Sequence, residues 1–170
     1  MSDRFATCLP LILRYEGGWV NDPNDHGGAT NYGITQRVYD AWRASVGRPT
    51  QSVRVILSDE VAAIYERDYW KVVGADEMPA PLDLVCFDAA VNSGPRRAVV
   101  WLQRALGVAD DGVAGPRTWA ALRAAEPVAL ARRCIDQREA SLRKFATAPG
   151  QAKFLNGWLR RTADLRGRCE

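Results

Sequence analysis

Apolar residues recur every three or four positions along most of this chain, the spacing of helices that bury one face. Residues 3–16 place Phe5, Cys8, Leu9, Ile12 and Leu13 together, and Gly17-Gly18 supplies a stop. Pro10 inside this pattern predicts a kink or a late start. A second helix is expected over 36–46, capped by Thr35 and burying Val38, Tyr39 and Trp42. A third, over 59–72, opens at Ser58-Asp59-Glu60 and turns Val61, Ile64, Tyr65 and Tyr69 inward. A fourth, over 83–92, carries Leu84, Val85, Phe87, Ala90 and Val91, with little polar face beyond Asp88. A helix apolar nearly all round runs through the middle of its domain. Further helices are expected over 96–106, from Pro116 through Thr118, Trp119 and Leu122, over 127–146 and over 151–166.

One segment breaks the period. Residues 18–34 hold too much Gly, Asn and Asp for a helix. Trp19-Val20 and the run from Thr30 to Ile34 predict short strands around an Asp-Pro-Asn-Asp turn. The charge balance also changes along the chain. Residues 1–94 carry eight Lys+Arg against thirteen Asp+Glu, a net −5; residues 95–170 carry fifteen against seven, a net +8. The basic half suits an anionic partner such as a wall polymer, a membrane surface or nucleic acid, or it is a set of solvated helix faces.

Length and composition change this picture little. The chain has 170 residues, 47% apolar and 25% charged, enough for one substantial core or a small domain with an appended one. Apolar runs fall well short of the ~20 residues of a membrane span. The first residues lack the basic start, apolar stretch and cleavage site of a signal peptide, so synthesis in the cytoplasm is expected. Cys8, Cys86, Cys134 and Cys169 are far apart in sequence, and they read as free thiols used as small apolar residues. His26 is the only histidine, which excludes histidine triads and two-histidine metal sites, and neither metal nor cofactor is expected.

The chemistry gathers in the irregular segment. Glu16 sits at the expected end of the first helix, where the helix dipole disfavours negative charge. Asp22 follows it by six residues, Asp25 by nine and Thr30 by fourteen. Cleaving a glycosidic bond takes a protonated carboxyl for the leaving oxygen, and a second group to activate water or stabilise the sugar cation. Either Asp22 or Asp25 can supply that second group, with Thr30 helping to hold water. Asp22 before Pro23 also reads as a simple turn former. Tyr32 is either cleft wall or core. Asn92, ending the buried helix, either contacts sugar or terminates the helix. Trp119 and Trp158 are either core or sugar platforms.

The run Glu16-Gly17-Gly18-Trp19-Val20-Asn21-Asp22-Pro23, then Asp25, Gly27-Gly28-Ala29-Thr30 and Tyr32-Gly33-Ile34-Thr35, resembles the signature of glycoside hydrolase family 108. The resemblance continues through Tyr69-Trp70, Pro81-Leu82-Asp83 and Phe87 to Gly94. It then enters that family's predicted peptidoglycan-binding region: Leu102-Gln103 to Gly107, Asp111-Gly112, Gly115-Pro116, and Phe154 to Trp158. The second pattern also has a plain geometric reading, as the turn of a helical hairpin.

The resemblance implies a mainly α, lysozyme-like α+β fold with a small β-hairpin after the first helix and a C-terminal helical bundle. It implies a catalytic region over 1–94 and a binding region over 95–170, packed together. The implied activity is an N-acetylmuramidase of the endolysin type, with Glu16 as catalytic acid; the substrate-binding candidates beside it are Tyr32, as cleft wall, and Asn92, whose Asn-x-Gly is similar to a sugar-contacting motif of lytic transglycosylases. In phage-type lysozymes an acid follows the glutamate by nine residues and a threonine by six more. Asp25 meets the first spacing and Thr30 falls one residue short of the second, which favours Asp25 over Asp22. Peptidoglycan is the implied partner, with an anionic wall or membrane surface for the basic half, no nucleic acid and a monomeric state. The enzyme would reach the wall through a holin, a secretion apparatus or lysis. A lytic transglycosylase and a non-catalytic wall-binding protein are the alternatives.

Overall fold

The computed structural model describes residues 2–21 and 28–169. It is mainly helical, with eight α-helices and one small antiparallel sheet among these residues. The chain divides into two compact units, residues 1–68 and 69–170.

In the first unit, α1 (Asp3–Leu13) is capped by the Ser2 hydroxyl and buries Phe5, Cys8, Leu9 and Ile12. Pro10 is accommodated inside it. The helix ends at Leu13, short of the expected Glu16. Two turn bonds, Tyr15 N–H to Ile12 O and Glu16 N–H to Leu13 O, carry the chain on for one tighter turn. Strands β1 (Thr30–Asn31) and β2 (Ile34–Thr35) form a hairpin in which Thr30 pairs with Thr35 and Asn31 with Ile34. Val20 bridges to Thr30, its N–H and C=O bonded to the Thr30 backbone at 2.8 and 2.9 Å. Val20 thus meets Thr30 as expected, but the run from Thr30 to Ile34 is not one strand: it turns back on itself at Tyr32-Gly33, and the expected Asp-Pro-Asn-Asp turn lies outside the described residues.

Thr35 caps α2 (Gln36–Ser45), its hydroxyl accepting from Val38 N–H. Helix α3 (Ser58–Tyr65) is shorter than expected, and the chain leaves it through a wider π-type turn at Glu66–Trp70. The loop between α2 and α3 is braced by a buried carboxylate. Glu60 accepts from Arg43 and Arg48 at 2.8 Å each, from Leu57 N–H at 3.2 Å, and from the Tyr39 hydroxyl.

In the second unit α4 (Leu82–Ser93) is buried without a break from Leu82 to Ala90, the central helix that its sequence predicts. It packs against α5 (Pro95–Leu106) and α7 (Pro127–Ala146), and α7 also packs against α8 (Leu155–Gly167). Helix α6 (Pro116–Ala124) closes a hairpin with α5. Gln103, buried, ties the turn of that hairpin. Its amide donates to Asp111 Oδ1 at 2.8 Å and Val113 O at 3.0 Å, and accepts from Gly112 N–H at 2.8 Å. The Leu-Gln and Asp-Gly signature thus has a structural role in the hairpin. Trp119 packs against Gly74, where an added β-carbon would lie 2.6 Å from its ring.

All four cysteines are free and buried. Contact with Cys134, together with burial, pushes the Cys86 thiol well above its ordinary value.

Among the buried charges of this unit, Arg138 and Arg161 both converge on Asp88. Its carboxylate takes Arg138 at 2.6 Å and the Arg161 Nε at 2.8 and 3.0 Å. Asp88 is 0% exposed, Arg138 1% and Arg161 7%. A buried charge persists only when paired and hydrogen-bonded.

Candidate active site

The site is built on the hairpin of the first unit. A two-residue turn joins β1 and β2, with positive φ at both central residues, 50° at Tyr32 and 70° at Gly33. This is the dihedral pattern of a type I′ turn, whose twist matches that of the strands. Gly33 suits it at no steric cost. Tyr32 does not, and a bulky residue held there stores of order 1–3 kcal/mol of strain. Two anchors hold the turn. The Tyr65 hydroxyl donates to Tyr32 O at 2.7 Å. One position back, the buried Asn31 amide donates to Val53 O at 3.2 Å and Arg54 O at 3.1 Å.

The Glu16 carboxyl lies against this turn. A β-carbon built on Gly33 would stand 2.8 Å from Glu16 Oε2 and 3.1 Å from the Tyr65 hydroxyl. Only a residue without a side chain lets the carboxyl approach so closely. Glu16 itself is half-buried, because it belongs to the turn beyond α1 and not to its last helical turn. That corrects the dipole argument, since the effect of a helix end fades within a turn.

Tyr32 is 41% exposed, so it is not a core residue. Tyr15 and Trp19 are also exposed, and the Arg54 guanidinium stands 5.8 Å over the Trp19 ring. Exposed aromatic side chains in the same unit as the half-buried Glu16 carboxyl offer faces on which sugar rings can pack. Thr30 lies on β1, its hydroxyl donating to Gly28 O at 3.2 Å. Asp22 and Asp25, like His26, lie outside the described residues. Asn92 belongs to the second unit, where its Oδ1 accepts from Arg138 at 2.9 Å.

Sequence reasoning did not single out Gly33 and Tyr65 as parts of the site. The Tyr-Gly pair between two short strands was a visible hairpin signal. Tyr65 had none, since helical spacing marks it only as buried.

A sequence model of the glycosyl hydrolase 108 family matches residues 9–94, and one of the predicted peptidoglycan domain matches residues 97–163. The solved structure of Brucella abortus SagA is similar to this chain, with a TM-score of 0.80 and 37% identity, covering 98% of this chain and 93% of that one. No curated protein matches. The family boundary near residue 95 falls later than the division at residue 68, so α4 is part of the hydrolase match while packing with the helices that follow. A half-buried carboxyl set against a hairpin turn thus lies inside the hydrolase match, and the chain belongs to the glycosyl hydrolase 108 family, as a glycoside hydrolase of peptidoglycan.

Proposed function

We propose that the enzyme is an N-acetylmuramidase that hydrolyses the bond between N-acetylmuramic acid and N-acetylglucosamine. The observation that carries this reading is the Glu16 carboxyl held against the Gly33 turn beside the Tyr65 hydroxyl. Glu16 gives its proton to the glycosidic oxygen as the bond breaks. A second carboxylate, Asp25, stabilises the positive sugar or takes a proton from the attacking water, and Thr30 helps hold that water. The strained, exposed Tyr32 lines the sugar wall, and no metal takes part.

The test is one substitution at a time on purified peptidoglycan, followed by turbidity: Asp25→Asn, Asp22→Asn and Thr30→Ala. Asp25→Asn is expected to remove most activity, on the order of 10²-fold or more. Asp22→Asn is expected to leave most of it. The reverse order would move the second role to Asp22. If wild type binds the wall without clearing it, the chain is a binder and the catalytic reading fails. The enzyme works on the wall as a monomer after a holin, secretion apparatus or lysis releases it, with the basic half favouring an anionic surface.

A further inference from the structure

A cavity of about 470 Å³ opens in the second unit, among the ends of α4 and α7, the start of α5, and α8. Its volume lies in the range of small-ligand sites. The residues that define its chemistry are Asn92, Arg97, Lys144, Phe145, Gln151 and Trp158. Among the described residues, no aspartate or glutamate lines it. The Arg97 guanidinium stands 4.9 Å over the Phe145 ring, which fixes the cation at the rim.

Asn92 is the pivot. Its Oδ1 accepts from Arg138 at 2.9 Å and from the Ser93 hydroxyl at 3.3 Å. Arg138 is donor-only, so the atom facing it is the amide oxygen, and the amide has one orientation. The Nδ2 group is thereby left as what Asn92 offers to the cavity. Arg138 is in turn locked by Asp88, which is fully buried. A buried ion pair thus sets the polarity of one side chain at a cavity wall.

An oriented amide donor suits an acetamido carbonyl. An indole and a phenyl ring suit the C–H face of a sugar. Two cations without a competing acid suit carboxylates. We propose that this cavity binds an N-acetylated amino sugar bearing carboxylates, as in a muramyl peptide, with Asn92 reading the acetamide and Arg97 and Lys144 holding the acid. Arg138 is a positioning residue. The proposal rests on the peptidoglycan reading and adds to it a built site in the second unit.

The test is calorimetric titration of the full chain carrying Glu16→Gln, so that no ligand is cut, with three probes. These are N-acetylmuramyl-L-alanyl-D-isoglutamine, the dipeptide alone and neutral chitotriose. The muramyl dipeptide is expected to bind at least tenfold more tightly than either of the others. The pair Arg97→Gln/Lys144→Gln is expected to remove that advantage while leaving chitotriose binding unchanged. Asn92→Asp keeps the shape and a partner for Arg138, and is expected to weaken both sugars at least tenfold. Equal binding of muramyl dipeptide and chitotriose, equal binding of the dipeptide alone, or indifference to these substitutions would overturn the proposal. Wall clearing by the chain with an intact Glu16 is measured in parallel. Clearing without muramyl dipeptide binding removes this site alone, and binding without clearing removes only the hydrolase reading.

Discussion

Each unit buries one carboxylate among arginines, and the two do so differently. Glu60 draws its partners from nearby chain: Tyr39, Arg43, Arg48 and the Leu57 backbone. Asp88 draws Arg138 and Arg161 from 50 and 73 residues away. The Glu60 cluster is open at one side, because the Arg48 side chain is 48% exposed. Around Asp88 both arginines are buried. The first cluster therefore braces a loop, the one whose carbonyls hold Asn31 and so the hairpin under Glu16. The second ties three helices, α4, α7 and α8, and passes its order to Asn92. A local cluster supports the proposed catalytic wall, and a long-range one supports the helical unit.

The largest difference between the two clusters is expected from Asp88→Ala. It strands two buried cations and should cost about 3–5 kcal/mol, enough to disrupt the helical unit. Urea denaturation followed by circular dichroism measures it; a cost below 1 kcal/mol would mean that water replaces the carboxylate freely. Glu60→Gln should cost less, about 1–3 kcal/mol, since Arg48 keeps its access to solvent.

The same cluster predicts a pH response. Burial raises the Glu60 carboxyl, but hydrogen bonds from Tyr39, Leu57 and Arg48 and the charge of Arg43 outweigh it, so it lies below its ordinary value. A depressed folded value gives stability that is complete above the unfolded value of about 4.3 and is lost as pH falls through the folded one. Wild type should lose that contribution below about pH 4, and Glu60→Gln should lack this part of the acid response. Denaturation midpoints at pH 7, 4 and 3 for both proteins give the comparison.

Gly33→Ala sharpens the catalytic side. The new β-carbon meets Glu16 Oε2 at 2.8 Å in a backbone conformation with φ of 70°. A cost of about 1–2 kcal/mol in stability is expected, with a larger proportional loss in kcat as the carboxyl is displaced. Tyr65→Phe is the mildest, removing one hydrogen bond to Tyr32 O worth about 1 kcal/mol. Comparing its kcat with its denaturation midpoint separates a loosened turn from a loosened fold.

The helical body was legible because burial on one face leaves a period of 3.6 in the sequence. The start of α2 at its Thr35 cap, the continuous burial of α4 and the span of α7 all follow from local signals. The end of α1 was not legible, because Arg14, Tyr15 and Glu16 are acceptable helix formers and only backbone geometry separates their turn from the helix. Nor were the buried arginines. Arg138 and Arg161 look like surface residues of basic helices, and their partner lies on another element. Asp88 gave a hint, as an acid in the middle of an otherwise apolar stretch of helix, beyond the Asp83 that opens it, and such an acid must find a cation. Within the site, Glu16 stood out by its motif, while Tyr65 and Asn31 act through contacts that no spacing rule encodes.

Whether Glu16 is the hydrolytic acid is decided by product analysis of purified peptidoglycan treated with wild type and with Glu16→Gln. Wild type is expected to release muropeptides with reducing N-acetylmuramic acid ends that have gained one water, and the folded Glu16→Gln protein to be slower by about 10²–10⁴-fold. Undiminished release by Glu16→Gln, or wild-type products one water lighter, would overturn the assignment of Glu16 as hydrolytic acid.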